Sequence, residues 1–559
     1  MRWMLCASVL TMLAGCHAYS LDVDGRIAER ASQPVDVLPI EASKQLTKAP
    51  GQAQLLLPMT QPPLTLTSAA KEAKQADKGK KYPSMMQRLE FKEGLLGIKI
   101  DDIQMPPEAQ KKEFEAAIQK YFPPLPALSL LPDARVGPDG RALTLMDLQQ
   151  IALRTNPKIR QAHLEVDSAR GAALQAGLYP NPTIGYDAAS IGQGNQNGVR
   201  TPGQQGGFVE QTIVVAGKKT IAREASRRDV LIAEQRLKQT ESDLQAQVRA
   251  GYFAVLSARE NYRVTKGLTE LTDELFGVLL LQMRGGEVAA YEPMQIRVLA
   301  MQSRQTLVLA RNRYVSAWKQ LAATLGTPTM ALTALEGRID MPVPHFEHDK
   351  VLAHVLSYHT EVIAAHLGVD KNRLQLRMAE VQPYPDVTLR TGFQKDYSTP
   401  PFGTLANVTV SVPFPLWDRN QGNIQSARAH LQRAMEDNLR VRNDLTTRTA
   451  EAFERYDNNR ALLEMYRKDI LPNQVQAFRA ALARHAVVGG VNYIDVVTSQ
   501  QTLASLIGNY LTALNDQWTS VVDISNLLQT SDLFQMHPVD DVAPVPNVQE
   551  IYRNERGGR

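Results

Sequence analysis

The chain has 559 residues, 43% of them hydrophobic and 21% charged, enough for two or three domains. Its formal net charge is only +4 and the basic residues are scattered, so no nucleic-acid partner is expected. Beyond the first twenty positions there is no run of 18 or more apolar residues, which excludes a helical membrane span.

The N-terminus reads as an export signal. Arg2 precedes an apolar run that closes on Leu13-Ala14-Gly15-Cys16, with small residues where a signal peptidase needs them. The tetrapeptide resembles a bacterial lipobox, which makes 1–15 a lipoprotein signal peptide and Cys16 the lipid attachment site. An ordinary cleavable signal that happens to contain a cysteine is the simpler alternative. Cys6 leaves with the signal, so one cysteine remains and no internal disulfide can form. His17 stands where, by lipoprotein sorting rules, an aspartate would favour inner-membrane retention, and so fits outer-membrane delivery.

Residues 16–141 form a Pro-rich, largely irregular arm. Fourteen of the 32 prolines fall between 17 and 140, and only brief helical patterns such as Pro107–Tyr121 occur. The pattern fits an extended segment packed along the main body.

From about Ala142 the chain repeats itself, as 142–336 and 337–534, leaving 535–559 as a flexible tail. Asn156-Pro157 is a good helix start, Asn capping and Pro at the first helical position. Each repeat runs helix, strand, polar loop, strand and very long helix, and Tyr179-Pro180 and Tyr384-Pro385 mark matching points about 205 residues apart. With no proline between Pro202 and Pro293, Lys218–Met283 can be one helix of about 100 Å. Leu237, Leu244, Val248, Gly251, Val255, Ala258 and Tyr262 fall on one heptad seam. Ala427, Leu431, Ala434, Val441, Leu445, Ala452 and Tyr456 fall on another, interrupted by Asn438 and Arg448. Such thin, small-residue seams suit a wall of helices rather than a deep core. Gly285-Gly286 and Gly489-Gly490 mark the far ends, and return helices start near Tyr291 and Tyr493.

Four strands are expected, at about 183–191, 207–215, 386–395 and 404–412. Val408, Val410 and Val412 alternate with Asn407, Thr409 and Ser411, and Val387, Leu389 and Phe393 with Thr388, Arg390, Gly392 and Gln394. These lengths approach the ~9–11 residues of a tilted membrane strand. Four strands cannot close such a barrel and open edges are not tolerated in lipid, so several chains must share one wall. A small soluble sheet beside a coiled coil is the competing reading. At the strand-to-helix junctions, Pro413 and Pro415 cannot donate to the ladder and end it. Trp417 follows, and Gly217 takes the place of the prolines in the first repeat.

Across 142–530 the chain resembles the TolC-like outer-membrane factors, the outer membrane efflux proteins. The resemblance rests on "LTLMDLQQIALRTNPKIRQA", "YPNP", "GGEVAAYEPMQIRV", "YPDV", "PFPLWDRNQGNIQSARAHLQRA", "DILPNQVQAFRAAL" and "GGVNYIDVVTSQQTL", in that family's order. The lipobox and Pro472 are nearest to lipoprotein members serving resistance–nodulation–division heavy-metal and drug pumps. The resemblance implies a mainly α fold with a membrane β-barrel part. Duplicated long-helix hairpins would form a trimeric α-barrel, and each chain would give four strands to a shared 12-stranded β-barrel. The homotrimer would sit in the cell outer membrane, in contact with its lipid, as the exit duct of a tripartite efflux system. Its partners would be a periplasmic adaptor and an inner-membrane resistance–nodulation–division or ABC pump. A type I secretion duct is the alternative within the family. A lipid-anchored periplasmic coiled-coil scaffold without a pore is the alternative outside it.

By the same resemblance Asp495, in "NYIDVV", is a candidate for the periplasmic aperture, with Glu292 in the matching place of the first repeat. The family's second tip acid is Thr498 here, so a double acidic ring is not expected. Five of the ten histidines (His345, His348, His354, His359 and His366) cluster in sequence. His345-x-x-His348 is a metal-compatible spacing. No cysteine is near and the five do not share one helix face, so they are read as solvated. No nucleophile elbow, P-loop or zincin motif is present, and neither enzyme activity nor a cofactor is expected.

Overall fold

The structure is a computed structural model that describes residues 105–106, 110–131, 134–137, 140–192, 200, 202–398, 401–487, 493–530, 539–540 and 542–547. Cys16, the expected signal peptide at 1–15 and most of the expected arm lie outside the described residues.

The helices form where the sequence places them. After α1 (Lys111–Tyr121) comes α2 (Leu145–Thr155), opened by a capping box in which Thr144 accepts from the Asp147 N–H at 3.2 Å and Asp147 accepts from the Thr144 N–H at 3.0 Å. Asn156 caps α3 (Pro157–Gly177) by accepting from the Lys158 N–H at 2.8 Å, while its amide donates to the Thr324 carbonyl at 2.7 Å. Strands β1 (Thr183–Ala189) and β2 (Gln204–Ile213) lead to α4 (Lys218–Arg284) and its return helix α5 (Tyr291–Thr324). The second repeat follows β3 (Val343–Pro344) and α6 (His348–Tyr358). It runs α7 (Thr360–Val381), β4 (Val387–Asp396), β5 (Thr404–Ser411) and α8 (Gln421–Met465), a π turn (Tyr466–Ile470), α9 (Leu471–Val487) and α10 (Tyr493–Leu528). A last short strand is β6 (Val539–Asp540).

The two repeats are not equally regular. Helix α4 is unbroken over 67 residues, whereas the helix after β5 carries the π turn directly before Leu471-Pro472. Pro472 has no N–H for the preceding turn and its ring crowds the carbonyl there; widening that turn relieves both. The burial is also broader than a thin seam. Helix α4 packs against α2, α3, α5, α7 and α10, so Tyr252, Phe253 and Leu256 are buried along with Leu244, Val248 and Val255. Phe253 stacks on Trp518 of α10 with ring centroids 4.1 Å apart, and the Trp518 indole N–H donates to the Ile339 carbonyl at 2.8 Å. In helix α8 Val441, Leu445, Ala452 and Tyr456 of the expected seam are buried, joined by Thr449, Phe453 and Leu463, while Ala427, Leu431 and Ala434 are half-buried. The polar interruptions of that seam are both partnered: Asn438 lies 3.0 Å from the His366 ring, and Arg448 forks onto Glu361 at 3.1 and 2.7 Å.

The tail expectation is corrected for 539–540 and 542–547. β6 pairs antiparallel with β3, the Val545 N–H donates to Asp340 at 3.1 Å, and Val545 is buried in the main apolar core. Burial of Val545 alone does not offset the freedom the segment loses; the ladder with β3, the Val545 N–H bond to Asp340 and the Ala543 carbonyl that accepts from Tyr510 hold it together with that burial. The histidine expectation is corrected as well, since His359 is only 3% exposed. It caps α7 by accepting from the Glu361 N–H at 3.2 Å, occupying in the second repeat the place of Asn156 in the first.

Candidate pore wall and periplasmic tip

The four long strands make one antiparallel sheet in the order β1-β2-β4-β5, in which β2 and β4 join the repeats through ten paired positions, Gln204↔Asp396 to Ile213↔Val387. Paired residues share a face, so the register sorts the whole sheet. Ile184, Val209, Thr391 and Val408 form one row across it, flanked by Tyr186, Ile213, Leu389, Phe393 and Val410 on the same face. The opposite face carries Thr183, Asp187, Glu210, Thr388, Arg390, Gln394, Asn407 and Thr409. The first face is mainly apolar, with Thr391 and Gln211 within it and Gln205, Lys395 and Thr404 in one row near the loop end; the other is mainly polar, although Phe208 and Leu405 lie on it. This is the broad two-sidedness that a wall between lipid and water requires. Among the described residues β1 and β5 are the unpaired edges of this sheet, so it closes by meeting copies of itself.

On the polar face Phe208 lies flat against the backbone: a Cβ on Gly185 would come within 2.4 Å of its ring. The Arg390 guanidinium stacks on that ring at 3.7 Å and pairs with Asp187, reaching past Glu210, the residue directly opposite it in register. Gly206 allows the closest backbone approach in the sheet, since a Cβ there would meet the Phe393 carbonyl oxygen at 1.9 Å. Alternation in the sequence gives none of this clamp, because it depends on which strands are neighbours.

Of the expected junction residues, Gly217 is the left-handed N-cap of α4, at φ 69°. Its counterpart in the second repeat is Asn420 (φ 60°), not Pro413 or Pro415. The prolines lie earlier in a longer connection with Trp417, which is 87% exposed. Asn420 donates to the Ala379 carbonyl of α7 at 2.8 Å and receives its own turn from Asp418, whose carboxylate accepts the Asn420 N–H at 2.9 Å. Asparagine tolerates the left-handed region better than other side-chain-bearing residues, so "DRNQ" carried the signal. Sequence reasoning also missed Asp386. It accepts from the Val215 N–H at 3.1 Å and pairs with the buried Lys218 at 3.0 Å, tying the first junction to the start of β4.

At the other end of the long helices, Gly286 (φ 72°) closes α4 in a Schellman turn, with the Glu287 N–H donating to the Gln282 carbonyl at 3.0 Å. Glu292 is half-buried in the first turn of α5, and Asp495 is exposed in the first turn of α10. Gly489-Gly490 lies outside the described residues. Among the described residues no three His, Cys, Asp or Glu side chains converge on a possible metal position, and no helix is long and apolar enough to cross a membrane.

Residues 148–327 and 351–529 match the model of the family described as outer membrane efflux protein, one match per repeat. The chain belongs to the outer membrane efflux protein family. It is an exit duct of the outer membrane with its helical part in the periplasm, working as a homotrimer with a periplasmic adaptor and an inner-membrane pump. It is similar to the cobalt-zinc-cadmium resistance protein CzcC of Cupriavidus metallidurans, 26% identical over 69% of this chain and 90% of that protein. The crystal structure of CusC superposes with a TM-score of 0.59 at 16% identity, covering 77% of this chain and 98% of that one. The MtrE outer membrane channel of Neisseria gonorrhoeae, solved in an open state, does so with a TM-score of 0.54 at 17% identity, covering 69% and 88%. The two-faced sheet, its open edges and the paired long hairpins are the protomer of that duct.

Proposed function

We propose that this outer membrane efflux protein is the exit duct for divalent heavy-metal cations, a passive conduit without a catalytic step. Six acids, Glu292 and Asp495 from each of the three copies, would then line its periplasmic opening. The observation that carries the reading is the symmetric placement of the two acids, each in the first turn of a return helix at the end of a hairpin. Carboxylates there complement the helix N-terminus, attract cations in a narrow opening and repel one another as they approach. The likeness to a cobalt-zinc-cadmium resistance protein supports the cargo class. The likeness to a channel solved in an open state supports a tip with more than one arrangement. Energy for export would come from the pump, and the adaptor would engage the turns at 285–292 and 487–495. Pro413, Pro415, Trp417, Gly217 and Asn420 would turn the chain from barrel to tunnel.

The experiment is reversal-potential measurement on the purified trimer in planar bilayers under a salt gradient. Wild type is expected to prefer cations, and Asp495→Ala with Glu292→Ala to lose most of that preference. Unchanged selectivity in the double variant removes the acids from the aperture. Loss of cobalt, zinc and cadmium tolerance on deleting the gene, restored by wild type, tests the cargo.

A further inference from the structure

The part of the arm that precedes the family-matched region runs along the first hairpin to its tip, through a series of specific contacts. Glu115 of α1 pairs with Arg284, the last residue of α4, at 3.4 Å. Ile118 and Phe122, 3% and 5% exposed, enter one apolar cluster with Leu275, Phe276, Leu279 and Met283 of α4, Ile296 of α5 and Val496 of α10. The segment then becomes proline-rich and has neither helix nor strand, so its carbonyls are free to accept from side chains. Arg297 and Arg304 of α5 donate to the carbonyls of Pro123 and Pro126, and Arg304 also pairs with Asp273 of α4 at 2.7 Å. Farther along, the Tyr262 hydroxyl donates to the Ser129 carbonyl at 3.2 Å, and Leu128 and Leu131 pack on Tyr262, Leu307 and Ala310. From Arg284 back to Tyr262 the contacts follow roughly 33 Å of α4.

We propose that residues 111–131 are a clasp that positions the periplasmic tip, with Ile118 and Phe122 as the positioning residues. The clasp bonds α4 and α5 from outside the repeats that build the duct, and its anchors share a cluster with Val496, the neighbour of Asp495. Any rearrangement that widens the tip by separating α10 from the first hairpin must open that cluster. The apolar anchors therefore oppose widening, while the arginine contacts hold the strap in register along α5. The inference rests on the reading of this tip as the periplasmic aperture.

The test uses the full-length trimer in planar bilayers with potassium chloride. Phe122→Ala removes most of a buried aromatic, and open probability is expected to rise on the order of tenfold. Amide exchange across 271–299 should quicken while that of 244–258 stays as in wild type. Open probability within twofold of wild type overturns the clasp. If Phe122→Ala does not assemble, Phe122→Leu and Ile118→Val trim the same contact, and a graded rise of about two- to threefold is expected. No rise in either overturns the proposal. A silent Phe122→Ala beside altered selectivity in Asp495→Ala with Glu292→Ala removes the clasp and keeps the aperture. The reverse outcome keeps the clasp and removes the acids.

Discussion

Asp386 is the residue on which the first barrel-to-tunnel junction depends, and Asp386→Ala tests that quantitatively. Its partner Lys218 has a side chain only 6% exposed, while Asp386 itself is 30% exposed. Removing one member of a buried pair costs about 3–5 kcal/mol, because the other charge is left without a partner. Partial solvent access to Asp386 reduces this to about 2 kcal/mol, since water screens the pair in the native protein. Loss of the acceptor for the Val215 N–H adds about 1 kcal/mol, for a total near 3 kcal/mol. Lys218→Met removes the buried charge but leaves Asp386 bonded to Val215 and hydrated on its open side, at a cost of about 0.5 kcal/mol. The double variant then carries no orphaned charge and should cost about 1.5 kcal/mol, giving a coupling of about 2 kcal/mol between the two sites. Urea unfolding of the detergent-solubilised trimer, followed by helical circular dichroism at fixed protein concentration, reads the differences. If Asp386→Ala proves no less stable than the double variant, the buried-pair reasoning is wrong and the junction is held by its backbone alone.

Gly206→Ala sets a Cβ 1.9 Å from the Phe393 carbonyl oxygen, so β2 and β4 cannot keep their register. Heat-resistant trimers should disappear from the outer-membrane fraction, and normal assembly would contradict the register. Burial lowers the pKa of His359, as does Arg448, against the pull of Glu361 and Asp243. The unfolded chain therefore takes up this proton first: stability is full above the ordinary histidine range and declines as pH falls from about 6.5 toward the lowered folded value. His359→Asn keeps a capping acceptor and should flatten that decline in urea midpoints between pH 7.5 and 5. A chain ended after residue 530 loses β6, Val545 and the carbonyl of Ala543 to which Tyr510 donates. Its tunnel part should unfold at lower urea, whereas a free tail would leave the midpoint in place.

Much of the architecture follows from local pattern, because the forces involved act over a few residues. The proline-free stretch and the paired glycines place α4 within one residue at its C-terminal end, and Asn156-Pro157 fixes the start of α3. Valine alternation finds β5, and the register confirms its two faces. The return helices begin at Tyr291 and Tyr493, where the acids lie in the first turn. The junction was less legible. Prolines suggested where the second ladder ends, but the left-handed residue that starts the helix is Asn420, because turn geometry rather than ladder-breaking chooses it.

The sequence by itself determined the repeat, the element types, the two-faced strands and the family, since periodicity and punctuation are written along the chain. Tertiary structure decided what meets across it. Asp386 holds Lys218, Arg390 passes over Phe208 to Asp187, and the arm reaches the hairpin tip through Ile118 and Phe122. Each of these joins residues far apart in the chain, so no local period marks them. They exist because strand order and helix packing bring particular side chains within bonding distance, and burial then makes each contact costly to lose.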